Sequence, residues 1–280
     1  MRAVSTKVVE NAIYEALISA TYKIPEDIKK ALKSAHDKEN TPLAKHILNE
    51  IIKNYELALQ ERAPLCQDTG TILLFIEMGQ DILFSDGFLL SSLNRAISRT
   101  TLEGYLRAST VNDPLRRNNN NTNTPPIIHL EMVRGDRVKI YIMLKGAGAE
   151  NVSCLKMLSP SMEIEFIKEE IVQWIKENAA KACPPVVVGI GLGGNYESAP
   201  ILAKKALLRK IGSSNKNDFY ARMEKDLLNS INKLGIGPMG VGGKTTALSV
   251  QVETYPTHIA SLPLAINLNC HSTRISKIVI

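Results

Sequence analysis

"IGPMGVGGKTTALSV", residues 236–250, carries the glycines and the Gly243-Lys244-Thr245 run of a phosphate-binding loop. Whether it is one decides the fold. Such a loop needs G-x-x-x-x-G-K-[ST] between a strand and the helix that follows it, so that helix N–H groups and the lysine converge on the phosphates. Here Pro238 stands at the first glycine's place. The preceding "YARMEKDLLNSINKLG" (220–235) has helical periodicity and a glycine stop, and the following "TALSVQVETY" (246–255) alternates like a strand. The order helix, loop, strand is the reverse of what phosphate binding requires, so a nucleotide-hydrolase fold is excluded. Lys244 is left as an anion or structural contact.

Working outward, "VVVGIGLGG" (186–194) is a second glycine-rich stretch, with Gly189, Gly191 and Gly194 matching G-x-G-x-x-G between a strand and a helix. A dinucleotide fold then needs a second strand ending in Asp or Glu about 20 residues on. The sequence offers the polar and then helical "SSNKNDFYARMEKDLL" (213–228) instead. A dinucleotide-binding oxidoreductase stays open as an alternative, beside a plain glycine-rich strand-to-helix turn. Upstream, residues 1–62 read as a helical N-terminal region: "VVENAIYEALISATY", "IPEDIKKALKSAHDKE" and "TPLAKHILNEIIKNYELALQER" all repeat apolar residues near a 3.6 period. Residues 63–280 read as an α/β body. "TILLFIEMG" (71–79) is a buried strand, residues 87–106 a helix, and "IIHLEMV" and "RVKIYIML" two strands flanking Arg134-Gly135-Asp136 as a hairpin. "SPSMEIEFIKEEIVQWIKENAAKA" (159–182) is an amphipathic helix stopped by Pro184 and Pro185. Helices are expected at about 198–211 and 217–234. The fold class is mixed α/β, a mixed-sheet body flanked by helices, in one domain over residues 1–280.

The polar stretch 109–126, "STVNDPLRRNNNNTNTPP", with its Asn run at 118–123, is expected to be a surface loop, mobile or functional, such as a lid. The net charge is +6, but the 34 basic residues are interleaved with 28 acidic ones and aromatics are only 5%, so stacking platforms for nucleic acid are scarce. No apolar run approaches the roughly 18 residues of a membrane span. The first 25 residues mix charged and apolar positions unlike a secretory signal. A cytoplasmic protein without nucleic-acid or membrane partners is expected.

Cysteines occur at 66, 154, 183 and 270, with no C-x-x-C pair, which argues against a disulfide framework or a local zinc knuckle. Cys66, Cys183 and Cys270 each lie at a break in the pattern, in "PLCQDTG", "KACPP" and "NLNCHS", whereas Cys154 in "ENVSCLKML" reads as a core thiol. Buried thiols acting as small hydrophobes would explain all four. Three loop thiolates without a fourth point instead to an iron–sulfur cluster with one iron left open as a Lewis acid.

"APLCQDTGT" (63–71), "KGAGAEN" (145–151), "ACPPVVVGIGLGG" (182–194), "GPMGVGGKTTALSV" (237–250) and "PTHIASLPLAINLNCHSTR" (256–274) resemble, in order and over about residues 8–274, the class I iron–sulfur-dependent fumarate hydratase and tartrate dehydratase family. The match is to its N-terminal domain, or to the alpha subunit where the enzyme is split. The resemblance implies a [4Fe-4S] cluster on Cys66, Cys183 and Cys270, and a small dicarboxylate substrate. It implies substrate contacts from Gln67, Arg107 and Gly148, with Lys145 helping by charge. Asp68 and His258 become a proton-transfer pair, the histidine working across a subunit contact. His271 has no more than a supporting place. Because the chain ends at Ile280, soon after the third cysteine motif, a separate beta subunit is expected to supply the remaining substrate groups, in an assembly of two alpha and two beta chains. Fumarate hydratase is the first expectation and L(+)-tartrate dehydratase the alternative.

Overall fold

The computed structural model describes all 280 residues. In chain order the elements are β1 (Arg2–Ser5), α1 (Thr6–Tyr22), α2 (Glu26–Lys38), α3 (Pro42–Glu61), β2 (Thr71–Gly79), β3 (Ile82–Ser85), α4 (Leu89–Glu103), β4 (Ile127–Val133), β5 (Val138–Lys145), α5 (Ala147–Glu150), β6 (Cys154–Leu158), α6 (Ile164–Asn178), β7 (Val186–Gly193), α7 (Ser198–Ala206), α8 (Asp218–Lys233), β8 (Ala247–Tyr255), β9 (Leu262–Asn269) and β10 (Arg274–Val279). Helices and mixed sheets alternate as the sequence pattern expects, and the mixed α/β class holds. The strand of residues 71–79 and the helices of residues 1–62 stand where their periodicities put them. The chain groups into two compact units, one of residues 1–25, 54–147 and 272–280, the other of residues 26–53 and 148–271.

The first unit is built on a four-stranded sheet in the order β10-β5-β2-β4. Strand β2 runs antiparallel to β5 and parallel to β4. The expected hairpin of β4 with β5 is therefore not formed: β2 lies between them. The physical reason is the unbroken apolar run of β2, which requires partners on both edges, whereas β4 leaves Leu130 and Met132 more than half exposed and suits an edge. Gly79 makes the crossing possible. A Cβ there would stand 2.3 Å from the Gly135 carbonyl oxygen, so the connection between β4 and β5 lies directly on the end of β2. On one face of the sheet Ile72, Leu74 and Ile76 of β2 and Val138, Ile140, Ile142 and Leu144 of β5 recur every second residue. They pack with α1 through Val9, Ile13, Ala16, Leu17 and Ala20, spaced as one helical stripe, and with Leu93, Ala96 and Ile97 of α4. At ~1.5–3 kcal/mol for each large side chain fully buried, this face is a main source of the unit's stability.

The second unit is a three-layer α/β/α arrangement on the sheet β6-β9-β7-β8, with β7 parallel to β8 and antiparallel to β9. Alternation along β7 separates its faces. Val186, Val188, Ile190 and Leu192 meet α6 and α8 through Ile167, Ile171, Ile175, Met223, Leu227 and Ile231. On the other face Gly189 and Gly191 meet α7, where added Cβ atoms would stand 2.2 Å from the Ala203 oxygen and 2.1 Å from the Ala199 oxygen. These glycines are explained by close helix–sheet packing, completed by Ala199, Ala203 and Ala265. No dinucleotide is needed to account for them.

Candidate active site

In the first unit the loop of residues 66–70 enters β2 beside the end of β5. Gly70 has φ +72°, and a Cβ on it would stand 2.0 Å from the Lys145 carbonyl oxygen, so the approach of loop to strand end requires glycine. That approach fixes Asp68. Its Oδ1 accepts from the Gly70 N–H at 2.8 Å and its Oδ2 from the Ala147 N–H at 2.7 Å. Each carboxylate oxygen keeps a further lone pair. The next residue, Thr69, is fully buried and donates its hydroxyl to the Arg107 carbonyl oxygen at 2.6 Å.

Arg107 is gripped from a second side by the Asn-rich loop. The Asn123 side-chain amide donates to the same carbonyl at 3.0 Å, while its Oδ1 accepts from the Ser109 N–H at 2.6 Å. The loop also braces itself: Asn119 caps Asn121, Asn120 caps Thr122 and Asn123, and Asp113 caps Leu115 and Arg116. The Arg107 residue remains exposed, as does Gln67, and Lys145 is buried at the end of β5. One end of this sheet therefore gathers Gln67, Asp68, Arg107 and Lys145.

The second unit gathers a different set. The Cys183 carbonyl accepts from the His271 N–H at 3.2 Å, which brings the loop before β7 and the loop after β9 together. Cys183 is exposed in a left-handed conformation, φ 51° and ψ 67°, uncommon for a residue with a side chain and characteristic of functional turns. Gly148 belongs here too, since a Cβ on it would stand 3.5 Å from the Lys181 oxygen. Burial pushes the His271 imidazole down to about 4, so the ring beside these thiols is neutral at physiological pH. His258 is not part of this group. It lies in the exposed turn before β9, whereas Cys270 follows β9, and eight strand residues separate them by roughly 25 Å. The turn orients the histidine ring: its Nδ1 accepts from the Ala260 N–H at 3.1 Å, leaving Nε2 to face outward.

The Lys244 loop answers its own question. A buried carboxylate of this chain, Glu39, lies where the glycines would cradle an anion: it accepts from the Lys244 N–H at 2.7 Å, and a Cβ on Gly243 would stand 2.7 Å from it. Lys244 is thus a structural contact through its backbone.

None of the four cysteines is in a disulfide. No three His, Cys, Asp or Glu side chains are gathered tightly enough to hold a single metal ion. A multi-iron cluster takes one thiolate per iron, so its ligands stand farther apart than those of a lone ion, and soft thiols presented from loops suit it. Cys183 and Cys270 meet that description at one sheet end of the second unit, and Cys66 opens the Asp68 loop of the first. Cys154 does not: it lies on β6 against the core, and burial raises its thiol above the ordinary value.

Sequence reasoning missed Arg274, Thr69, Asn123 and Glu39. Arg274 closes the third cysteine motif and is 2% exposed, with one guanidinium nitrogen on the Asp68 carbonyl oxygen at 2.6 Å. Its signal in the sequence was a cation closing the motif of residues 256–274, to which no role was attached.

Residues 10–279 match the family described as fumarate hydratase (Fumerase). The chain is 42% identical over 272 residues to a Methanocaldococcus jannaschii protein named "Putative L(+)-tartrate dehydratase subunit alpha", covering 95% of each chain. It is 32% identical over 272 residues to the L(+)-tartrate dehydratase subunit alpha of Escherichia coli O157:H7, covering 96% of this chain and 88% of that one. With a family match across nearly its whole length, and with the motifs that carry the resemblance folded into loops at sheet ends, the chain belongs to the fumarate hydratase family.

Proposed function

We propose that the chain, acting as one functional domain, is the alpha subunit of a two-subunit hydro-lyase that adds water to or removes it from a small dicarboxylate. The observation that carries this reading is the Asp68 site: a carboxylate fixed by two backbone N–H groups at the sheet end that also holds Gln67, Arg107 and Lys145. Cys66, Cys183 and Cys270 would hold a [4Fe-4S] cluster, which when bound supplies a Lewis-acidic iron for the substrate hydroxyl. The remaining chemistry belongs to the chain.

Arg107 receives a substrate carboxylate in its planar fork of donors, and Lys145 adds positive charge behind it. Gln67 and the Gly148 backbone N–H complete the orientation. Asp68 takes the proton from the carbon next to the one that bears the hydroxyl, the electrons of that C–H bond form the double bond as the C–O bond breaks, and His258 gives the departing hydroxyl the proton that makes it water; hydration runs the same transfers in reverse. His258 pairs with Asp68 across a subunit contact, in a heterotetramer of two alpha and two beta subunits. A cytoplasmic setting keeps the three thiols reduced.

Fumarate and (S)-malate are the proposed pair. L(+)-tartrate is the second reading, favoured by the names of the two relatives. The test is anaerobic assay of the reconstituted two-subunit protein with fumarate, malate and L(+)-tartrate. Turnover of fumarate and malate supports the first reading, tartrate turnover alone replaces it with the second, and NAD-dependent oxidation in place of both would return the glycine-rich β7 to the dinucleotide alternative.

A further inference from the structure

Arg274 opens β10, where it stands opposite Leu144 in the antiparallel register of β10 with β5. Its side chain therefore emerges at the same sheet end from which Lys145, Gly146 and Ala147 leave β5. There it is 2% exposed. Its Nη2 donates to the Asp68 carbonyl oxygen at 2.6 Å, while Nε and Nη1 are buried and find no acceptor in the chain. Gly146 locates the charge: a Cβ on it would stand 3.3 Å from the Asp68 Oδ2 and 4.0 Å from the Arg274 Nη2, so carboxylate and guanidinium flank one glycine.

A guanidinium keeps its charge inside a protein. Removing it from water is costly unless its donors are met, and an apolar side chain of similar volume would serve stability at least as well. The arginine at this position therefore calls for an explanation other than packing. We propose that Arg274 is a positioning residue that sets the main chain and carboxylate of Asp68 for proton transfer. This rests on the reading of Asp68 as the proton-transfer group.

Three bonds converge on Asp68, and each controls a different freedom. The Gly70 and Ala147 N–H groups fix the rotation of the carboxylate. The Arg274 bond fixes the peptide plane between Asp68 and Thr69, and hence the direction in which Cβ leaves the chain. Thr69 in turn holds the Arg107 carbonyl, so the same plane couples the proton-transfer group to the residue that receives the substrate carboxylate. A misplacement of about 1 Å at a reacting group costs on the order of a hundredfold in rate.

The test uses the reconstituted two-subunit enzyme with Arg274→Met, Arg274→Lys, Asp68→Asn and the double variant Asp68→Asn/Arg274→Met. Arg274→Met is expected to lower kcat about 10- to 100-fold with KM for the dicarboxylate nearly unchanged, and Arg274→Lys to recover part of it. The double variant should be no slower than Asp68→Asn alone, because a residue acting through Asp68 has nothing left to set. Hydrogen exchange on the full chain gives an independent reading: the Gly70 and Ala147 amides should exchange faster in Arg274→Met while those of β2 and β5 do not. Losses that add in the double variant, or unchanged exchange at those two amides, would overturn the proposal. If Arg274→Met does not fold, Arg274→Lys is carried through the same cycle with Asp68→Asn. Full kcat in Asp68→Asn would remove Asp68 from the chemistry and this inference with it. An inactive Asp68→Asn beside a fully active Arg274→Met would overturn the role of Arg274 alone.

Discussion

Individual cysteines are distinguished here by backbone setting. Cys183 caps a short 3-10 turn in the left-handed region with its residue exposed, and Cys66 and Cys270 stand in loops at strand ends, while Cys154 is held on a strand against an apolar core that disfavours its thiolate. A metal-ligating thiol must be deprotonated and able to reach outward. Serine at Cys66, Cys183 or Cys270 is therefore expected to abolish retention of iron and sulfide after anaerobic reconstitution, and serine at Cys154 to leave it unchanged. Iron and sulfide analysis of the four purified variants decides this; iron lost with Cys154→Ser, or kept with any of the others, would assign the cluster to a different set of thiols. The contrast between Cys154 and the other three was already legible in the sequence, because turn-forming neighbours mark a loop thiol. The left-handed backbone of Cys183 was not, since nothing in "KACPP" signals a positive φ.

Among the elements, the turn between α2 and α3 gives the clearest energetic case. Burial by itself would raise the Glu39 carboxyl, but N–H groups of Thr41, Lys244 and Asn40 outweigh it and hold the carboxyl below its ordinary value of 4.5. Two of these donors, Asn40 and Thr41, lie in the turn immediately before α3, and the third ties down the loop before β8. A depressed folded value means that the unfolded chain binds the proton first. The contribution is present in full above the ordinary carboxylate range and is lost as the pH falls through the folded value. Glu39→Gln is expected to cost about 1–3 kcal/mol at neutral pH, because a buried N–H loses its charged acceptor. It should also flatten the acid side of the stability profile. Urea titrations of both proteins from neutral pH to below 4.5 check this; parallel profiles would show that Glu39 is a bystander. Strand pairing shows the opposite limit of sequence reading. The positions of β4 and β5 followed from alternation, but their separation by β2 did not, because hairpin signals are local and the claim of β2 on two partners is not.

At the scale of the molecule the chain passes between the two units four times, its last nine residues, 272–280, returning to the first unit. No helix is long and apolar enough to cross a membrane. Asp68 belongs to the first unit and His258 to the second, at the sheet end opposite Cys270. If the pair forms between copies, two defective chains can share one intact site. Mixing the Asp68→Asn and His258→Asn chains before assembly with the partner subunit is expected to restore activity that neither variant has alone. A mixture as inactive as its components, while each variant still assembles, would place both residues of a working pair in one chain.

By itself the sequence determined the mixed α/β class, the order of most helices and strands, and the exclusion of a phosphate loop. Each rests on periodicity and punctuation within a dozen or so residues, which short-range backbone preferences are enough to fix. It also determined the family, through motifs that stay in register along nearly the whole chain. The tertiary structure alone decided what the remote residues do. It set Glu39 into the glycine loop 205 residues away, gave Gly189 and Gly191 their purpose beneath α7, and brought Arg274 to Asp68 across 206 positions. Such contacts arise because buried strands and charges must find partners wherever the fold places them, and no local pattern records where that will be.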